Sequence, residues 1–146
     1  MARITQMAWG DTSDPANLDA DFKAVTAVFV YGTEMLCPRG ARQVAFDLVV
    51  DKKNATTDLE LIINSSVNKG YWAPVTFLDT PTSVGDEIHT EIKRLIYDEK
   101  GIVDGHSNHV RLNLSTSEHL RLGLKGDAGG ATVKIFATFF DDMRKE

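Results

Sequence analysis

Two histidines three positions apart beside an aspartate, Asp104-Gly-His106-Ser-Asn-His109, come closest in this chain to a metal-binding pattern. Imidazole nitrogen and carboxylate oxygen are ligands that transition metals take. A site also needs a third or fourth ligand, and none stands nearby, so the segment reads as a solvated polar loop and no metal is assigned. His89 and His119 read as surface residues. Nucleophilic and nucleotide chemistry find no footing either: there is no Gly-x-Ser-x-Gly elbow and no glycine-rich phosphate loop closed by Lys and Ser or Thr. The carboxylate pairs Asp86-Glu87 and Asp141-Asp142 are adjacent in sequence. In a strand they point to opposite faces, whereas hydrolysis of a glycosidic bond needs two carboxyl groups on one substrate. No catalytic residue and no cofactor is assigned, and the expectation is a protein that is not an enzyme.

Binding chemistry has more to work with. Tyr71-Trp72 follows the turn Ser65-Ser-Val-Asn-Lys-Gly70 and could stack on a sugar or anchor an interface, while the plainer reading has Trp72 covering one end of the core. Asn54-Ala-Thr56, Asn64-Ser-Ser66 and Asn113-Leu-Ser115 match the glycosylation pattern. The N-terminus lacks the apolar run of a secretory signal, so these triplets read as chance.

These residues must be positioned by strands. Alternation runs through Val110-Arg-Leu-Asn-Leu114, Leu120-Arg-Leu-Gly-Leu124 and Thr132 to Phe140, and a period of two writes one apolar and one polar face per strand. Strands are expected over about 24–31, 43–50, 58–64, 71–78, 88–97, 110–114, 119–125 and 131–140. Val44, Phe46, Leu48 and Val50 form one inward set and Leu59, Leu61 and Ile63 another, with Asp47, Glu60 and Asn64 outside. Residues 83–100 also carry a helical stripe, Ile88, Ile92, Leu95 and Ile96, capped by Ser83 and Asp86. The β-branched row Ile88, Thr90, Ile92 favours strand. The turns Cys37-Pro-Arg-Gly40, Asp51-Lys-Lys-Asn54, Asn68-Lys-Gly70 and Gly126-Asp-Ala-Gly-Gly130 supply residues suited to unusual backbone angles. Eight strands with short gaps predict an all-β fold, an antiparallel, jelly-roll-like β-sandwich.

A chain of 146 residues fits one core. Its formal charge of −5 and scattered basic residues speak against nucleic acid as a partner. No run of eighteen apolar residues suggests a membrane span. The lone Cys37 excludes an internal disulfide and reads as a small buried hydrophobe. Residues 1–22 differ from the rest, being rich in turn formers and acidic groups over Asp11–Asp21, with Ile4, Met7, Trp9 and Leu18 among the few large apolar side chains. They read as an extended N-terminal arm ahead of a sandwich over 23–146. Packing along its own domain is one fate for such an arm, and docking of Ile4, Met7, Trp9 and Leu18 on a partner subunit is the fate favoured here.

The succession Asp58 to Asp79, with its Ser66-Val-Asn-Lys-Gly70-Tyr-Trp72 hairpin, and Glu118 to Thr138, with Leu120-Arg121-Leu122 before a glycine-bearing turn, resembles small β-sandwich structural proteins of tailed bacteriophage virions. The resemblance spans about residues 41–140, and Asn68-Lys69-Gly70 stands where the family pattern has Asp-Gly. It implies a non-enzymatic virion component assembled in the host cytoplasm: a capsid decoration or cement protein bound to the major capsid protein and to its own copies as a homo-oligomer, or a neck or tail accessory. A rigid sandwich with a spreading arm suits many weak contacts acting together. The competing reading is a carbohydrate-binding or host-attachment module with Tyr71, Trp72 and the His106 loop at its site.

Overall fold

A computed structural model describes residues 3–56, 58–74, 88–91, 94–97, 107–113, 119–127 and 130–140. Within them run β1 (Ile4–Trp9), β2 (Lys23–Ala24), β3 (Val30–Tyr31), β4 (Met35–Leu36), β5 (Gln43–Lys52), β6 (Leu59–Ser66), β7 (Ala73–Pro74), β8 (Ile88–Glu91), β9 (Arg94–Tyr97), β10 (Ser107–Asn113), β11 (His119–Gly126) and β12 (Thr132–Phe140). All pairings are antiparallel. The first sheet runs β1-β12-β5-β10, with β2 continuing the edge beside β12. The second runs β11-β6-β9-β8, with β3 and β4 as one broken strand on the outer edge of β11 and β7 beside β6. Along the chain, first strand meets last and the path crosses repeatedly between sheets, giving the antiparallel, two-sheet β-sandwich that the strand count predicts.

The inward rows fall where parity places them. Val44, Phe46, Leu48 and Val50 face Leu59, Leu61, Ile63, Leu120, Leu122 and Leu124 across the core, joined by Val133, Ile135, Ala137 and Phe139. Each of the larger side chains contributes about 1.5–3 kcal/mol by leaving water. The four turns each carry one residue at positive φ: Gly40, Asn54, Lys69 and Gly130. The segment 83–100 shows strand where it is described, but as the hairpin β8–β9, with Ile88 opposite Tyr97 and Glu91 opposite Arg94, rather than one strand. The expected strand 24–31 is interrupted between β2 and β3, where the Thr26 hydroxyl bonds the Val28 carbonyl at 2.9 Å. That over 71–78 reduces to β7, its remainder lying outside the described residues.

The N-terminal arm is corrected. Residues 4–9 are the first strand of the sandwich, paired with β12 from Ile4 opposite Phe139 to Trp9 opposite Ile135, with a bulge between Met7 and Trp9. Trp9 is fully buried in the core. Met7 is equally buried, under the returning loop: its N–H donates to the Pro15 carbonyl at 2.7 Å. The Asp11 N–H closes the neck of that loop on the Asp21 carbonyl at 3.0 Å, after which β2 resumes the same edge. The bulge hides the reason from sequence. It breaks the period of two, so Met7-Ala8-Trp9 shows no alternation although all three are buried. Ile4 and Leu18 remain exposed, and residues 1–22 and 23–146 do not part at a boundary, since β1 and β2 both pair with β12.

Gly32 seals this edge. A Cβ there would stand 2.3 Å from the Ala8 carbonyl oxygen and 3.2 Å from the Trp9 ring. The adjoining Thr33 N–H donates to that same carbonyl at 3.3 Å, bridging the first sheet to the second. Phe46→Ala and Trp9→Ala are each expected to cost about 3–5 kcal/mol through lost burial and residual cavity. Urea melts of the two variants check this, and a Trp9→Ala protein as stable as the parent would return the residue to a docking role.

A candidate binding face on the second sheet

The inward leucines of β11 leave His119, Arg121, Gly123 and Lys125 on the outer face, beside Ile62 and Asn64 of β6. Tyr31 lies opposite Gly123 in the ladder. A side chain at position 123 would meet the Tyr31 ring at 3.0 Å and Ile62 at 2.9 Å. The missing Cβ therefore lets Tyr31 lie close over the sheet, where the Arg121 guanidinium stands 3.8 Å from its ring centroid.

The other side of the arginine is closed by Trp72, whose ring centroid is 4.2 Å away. A turn cages the tryptophan in place. The Ser66 hydroxyl accepts the Lys69 N–H at 2.8 Å, Asn68 Oδ1 accepts the N–H groups of Gly70 (2.8 Å) and Tyr71 (3.3 Å), and Trp72 Nε1–H donates to the Lys69 carbonyl at 3.2 Å. A planar guanidinium between two rings gains from both π faces, and the contact strengthens as water is excluded. Arg121 Nε is buried with no hydrogen-bond partner among the described residues, so stacking dominates its environment. Trp72 thus packs on the outer face and not over the core end, while its neighbour Tyr71 is 83% exposed.

Apolar surface gathers at one end of this face. Leu36, His119 and Ser66 form one ladder row, with Val67 next in the chain. Leu36, Val67, Tyr71 and Tyr31 are all exposed. Beside them opens a groove of about 670 Å³ lined by Tyr31, Glu34, Leu36, Lys69, His119, Lys23 and the Thr12–Pro15 loop. The Lys69 ammonium reaches Glu34 Oε1 at 3.8 Å across its rim.

The four apolar residues expected on one docking arm are not brought together: Met7 and Trp9 are buried, and only Ile4 and Leu18 reach solvent. Asp104 and His106 lie outside the described residues, and the backbone of His109 pairs with Asp47 in the first sheet. Among the described residues no three His, Cys, Asp or Glu side chains form a metal-holding group, and no helix is long and apolar enough to cross a membrane. Cys37 is half-buried against the core, and that burial pushes its thiol pKa up. Tyr31 and Arg121 were not singled out from sequence. Leu120-Arg121-Leu122 marks an outward arginine, but nothing local says which rings will meet it.

No family model matches the chain, and no curated protein matches its sequence. Its fold is similar to that of the SPBc2 prophage-derived protein YomS, at 10% sequence identity and a TM-score of 0.50, over 94% of this chain and 93% of that one. A weaker likeness, at 8% identity and a TM-score of 0.44, is to the CBM22-1–GH10 modules of Clostridium thermocellum endo-1,4-β-D-xylanase 10B in complex with xylohexaose, over 99% of this chain and 26% of that one.

Arg121→Ala should cost about 1–2 kcal/mol of stability and red-shift the emission of Trp72, leaving the buried Trp9 unchanged. Urea melts with fluorescence detection, repeated in a Trp9→Phe background, separate the two rings. Cys37, its thiolate disfavoured by burial, should react with iodoacetamide at neutral pH more slowly than a free cysteine until the protein is unfolded.

Proposed function

We propose that this chain is a non-enzymatic structural component of a phage virion, in its specific form a capsid decoration protein that seats on the major capsid protein and on copies of itself. The observation that carries the reading is the outer face of the second sheet, where exposed Leu36, Val67 and Tyr71 accompany a locked Tyr31–Arg121–Trp72 stack. Aromatic and arginine side chains held rigidly at a surface are what protein interfaces favour at their centres. The likeness to a prophage-derived protein across nearly the whole of both chains supports a virion setting, as does the resemblance of residues 41–140 to virion sandwiches. The N-terminal segment no longer supports it, since that segment builds the sandwich itself.

Particles assembled without the protein supply the test. Wild-type protein should co-sediment with them and Leu36→Asp should bind at least tenfold more weakly, as removing a hot-spot contact does, while both melt alike. Val28→Asp, exposed at the other end of β11 beyond the Val30–Leu124 pair, should bind as the wild type does. Binding to isolated tails but not to heads would replace decoration by a tail role, and binding to neither would sink the virion reading.

A further inference from the structure

The groove beside the docking face has a chemistry of its own, and we infer that it is a binding site for an acidic, carboxylate-bearing oligosaccharide. Its volume of about 670 Å³ is that of a small-ligand site. The lining departs from the net −5 of the chain: Lys23 and Lys69 line it with one carboxylate, Glu34, while Asp11 acts on Lys23 from outside the lining, and the His119 imidazole adds a hydrogen-bonding group. The Tyr31 ring forms an apolar wall for the C–H face of a sugar, and Thr12 and Ser13 add hydroxyls.

Lys69 gives the groove its direction. It occupies a left-handed backbone conformation with φ of 66°, which disfavours any residue with a Cβ, and glycine stands only one position later. The turn is closed by hydrogen bonds that the backbone N–H groups of Lys69 and Gly70 donate to Ser66 Oγ and Asn68 Oδ1, none of which requires lysine at this position. The cost of that conformation is offset if the ammonium is needed at the rim. There it is half-exposed and reaches Glu34 at 3.8 Å, a screened and weak pair that a ligand carboxylate can replace. Lys23, whose ammonium rests 4.4 Å from the Trp9 ring centroid, is partly stripped of water, and burial lowers its pKa.

An extended acidic peptide fits less well. Adding a strand requires unpaired backbone groups along the wall, but the Gly32 N–H is given to the Leu122 carbonyl at 2.7 Å and the Thr33 N–H to Ala8 at 3.3 Å. The Leu36 carbonyl accepts from Gln6 Nε2 at 3.0 Å. A sugar makes its contacts through side chains and rings, which are what this wall offers. The inference is independent of where the protein seats on a particle.

Calorimetric titration of the full chain tests it with tetragalacturonate and sialyllactose, their neutral counterparts methyl-esterified tetragalacturonate and lactose, and hexaglutamate. At least one acidic sugar should bind, at least tenfold more tightly than its neutral counterpart, as expected for about one charge-assisted hydrogen bond. Lys69→Gly should melt at the same or a higher temperature, because glycine adopts the turn without strain, and yet lose about tenfold in affinity. Lys69→Arg should keep the binding, and Glu34→Gln, which removes the competing carboxylate, should tighten it severalfold. The site is overturned if neither acidic sugar binds, if the neutral sugars bind equally well, if hexaglutamate binds more tightly than the sugars, or if both Lys69→Gly and Glu34→Gln leave affinity unchanged.

Discussion

The position of β12 between β1 and β5 is the constraint on which the rest of the structure depends. Its inward row, Val133, Ile135, Ala137 and Phe139, is entirely dry. A strand can be that dry only if its backbone groups are satisfied on both edges, because an unpaired buried N–H or C=O costs as much as a lost hydrogen bond. β5 serves one edge from Gln43 to Lys52, and β1 and β2 share the other. The chain therefore has to return its first residues to the side of its last. Residues 10–22 are the excursion between two pieces of that shared edge, held at the neck by Asp11 and Asp21.

Closing the edge also ties the two sheets together. At Gly32 the broken strand of the second sheet comes so near β1 that a methyl group would not fit, and the Ala8 carbonyl accepts a hydrogen bond across the gap. The bulge at Met7 and Trp9 provides the turn of the backbone that aims this carbonyl outward from its own ladder. The same break in the edge, between Tyr31 and Met35, opens the wall of the groove. Packing and surface chemistry at this end have one cause, the interruption of the edge strand.

How much of this was legible follows from what each signal measures. Parity reports the face of a strand and nothing about its neighbours, so Val44, Phe46, Leu48 and Val50, with Leu59, Leu61 and Ile63, could be placed inside before any fold was known. Residue type, not parity, marked the positive-φ positions Gly40, Asn54 and Gly130, whose residues tolerate the angle, and it did not mark Lys69. β1 was illegible as a strand, since its bulge erased the alternation and its acidic, proline-bearing sequel has the composition of a free arm. The Tyr31–Arg121–Trp72 stack was illegible for another reason. Its members lie 41 to 90 positions apart in the chain, and only the ladder pairing of Tyr31 with Gly123 and the cage around Asn68 bring them together.

That dependence says something about the face itself. Arg121 is held by geometry on three separate elements, the broken edge strand, β11 and the turn after β6. Lysine there would supply a point charge in place of a plane and could not fill the space between two rings. The stack braces the 66–72 turn against the sheet, and through that turn it sets where Lys69 and the exposed Tyr71 stand. A surface meant only to be wetted has no use for so many fixed positions. Rigid support under polar and aromatic groups lowers the entropy a partner must overcome on binding, and it is this bracing, more than any single exposed side chain, that separates the end of the second sheet from the rest of the surface described.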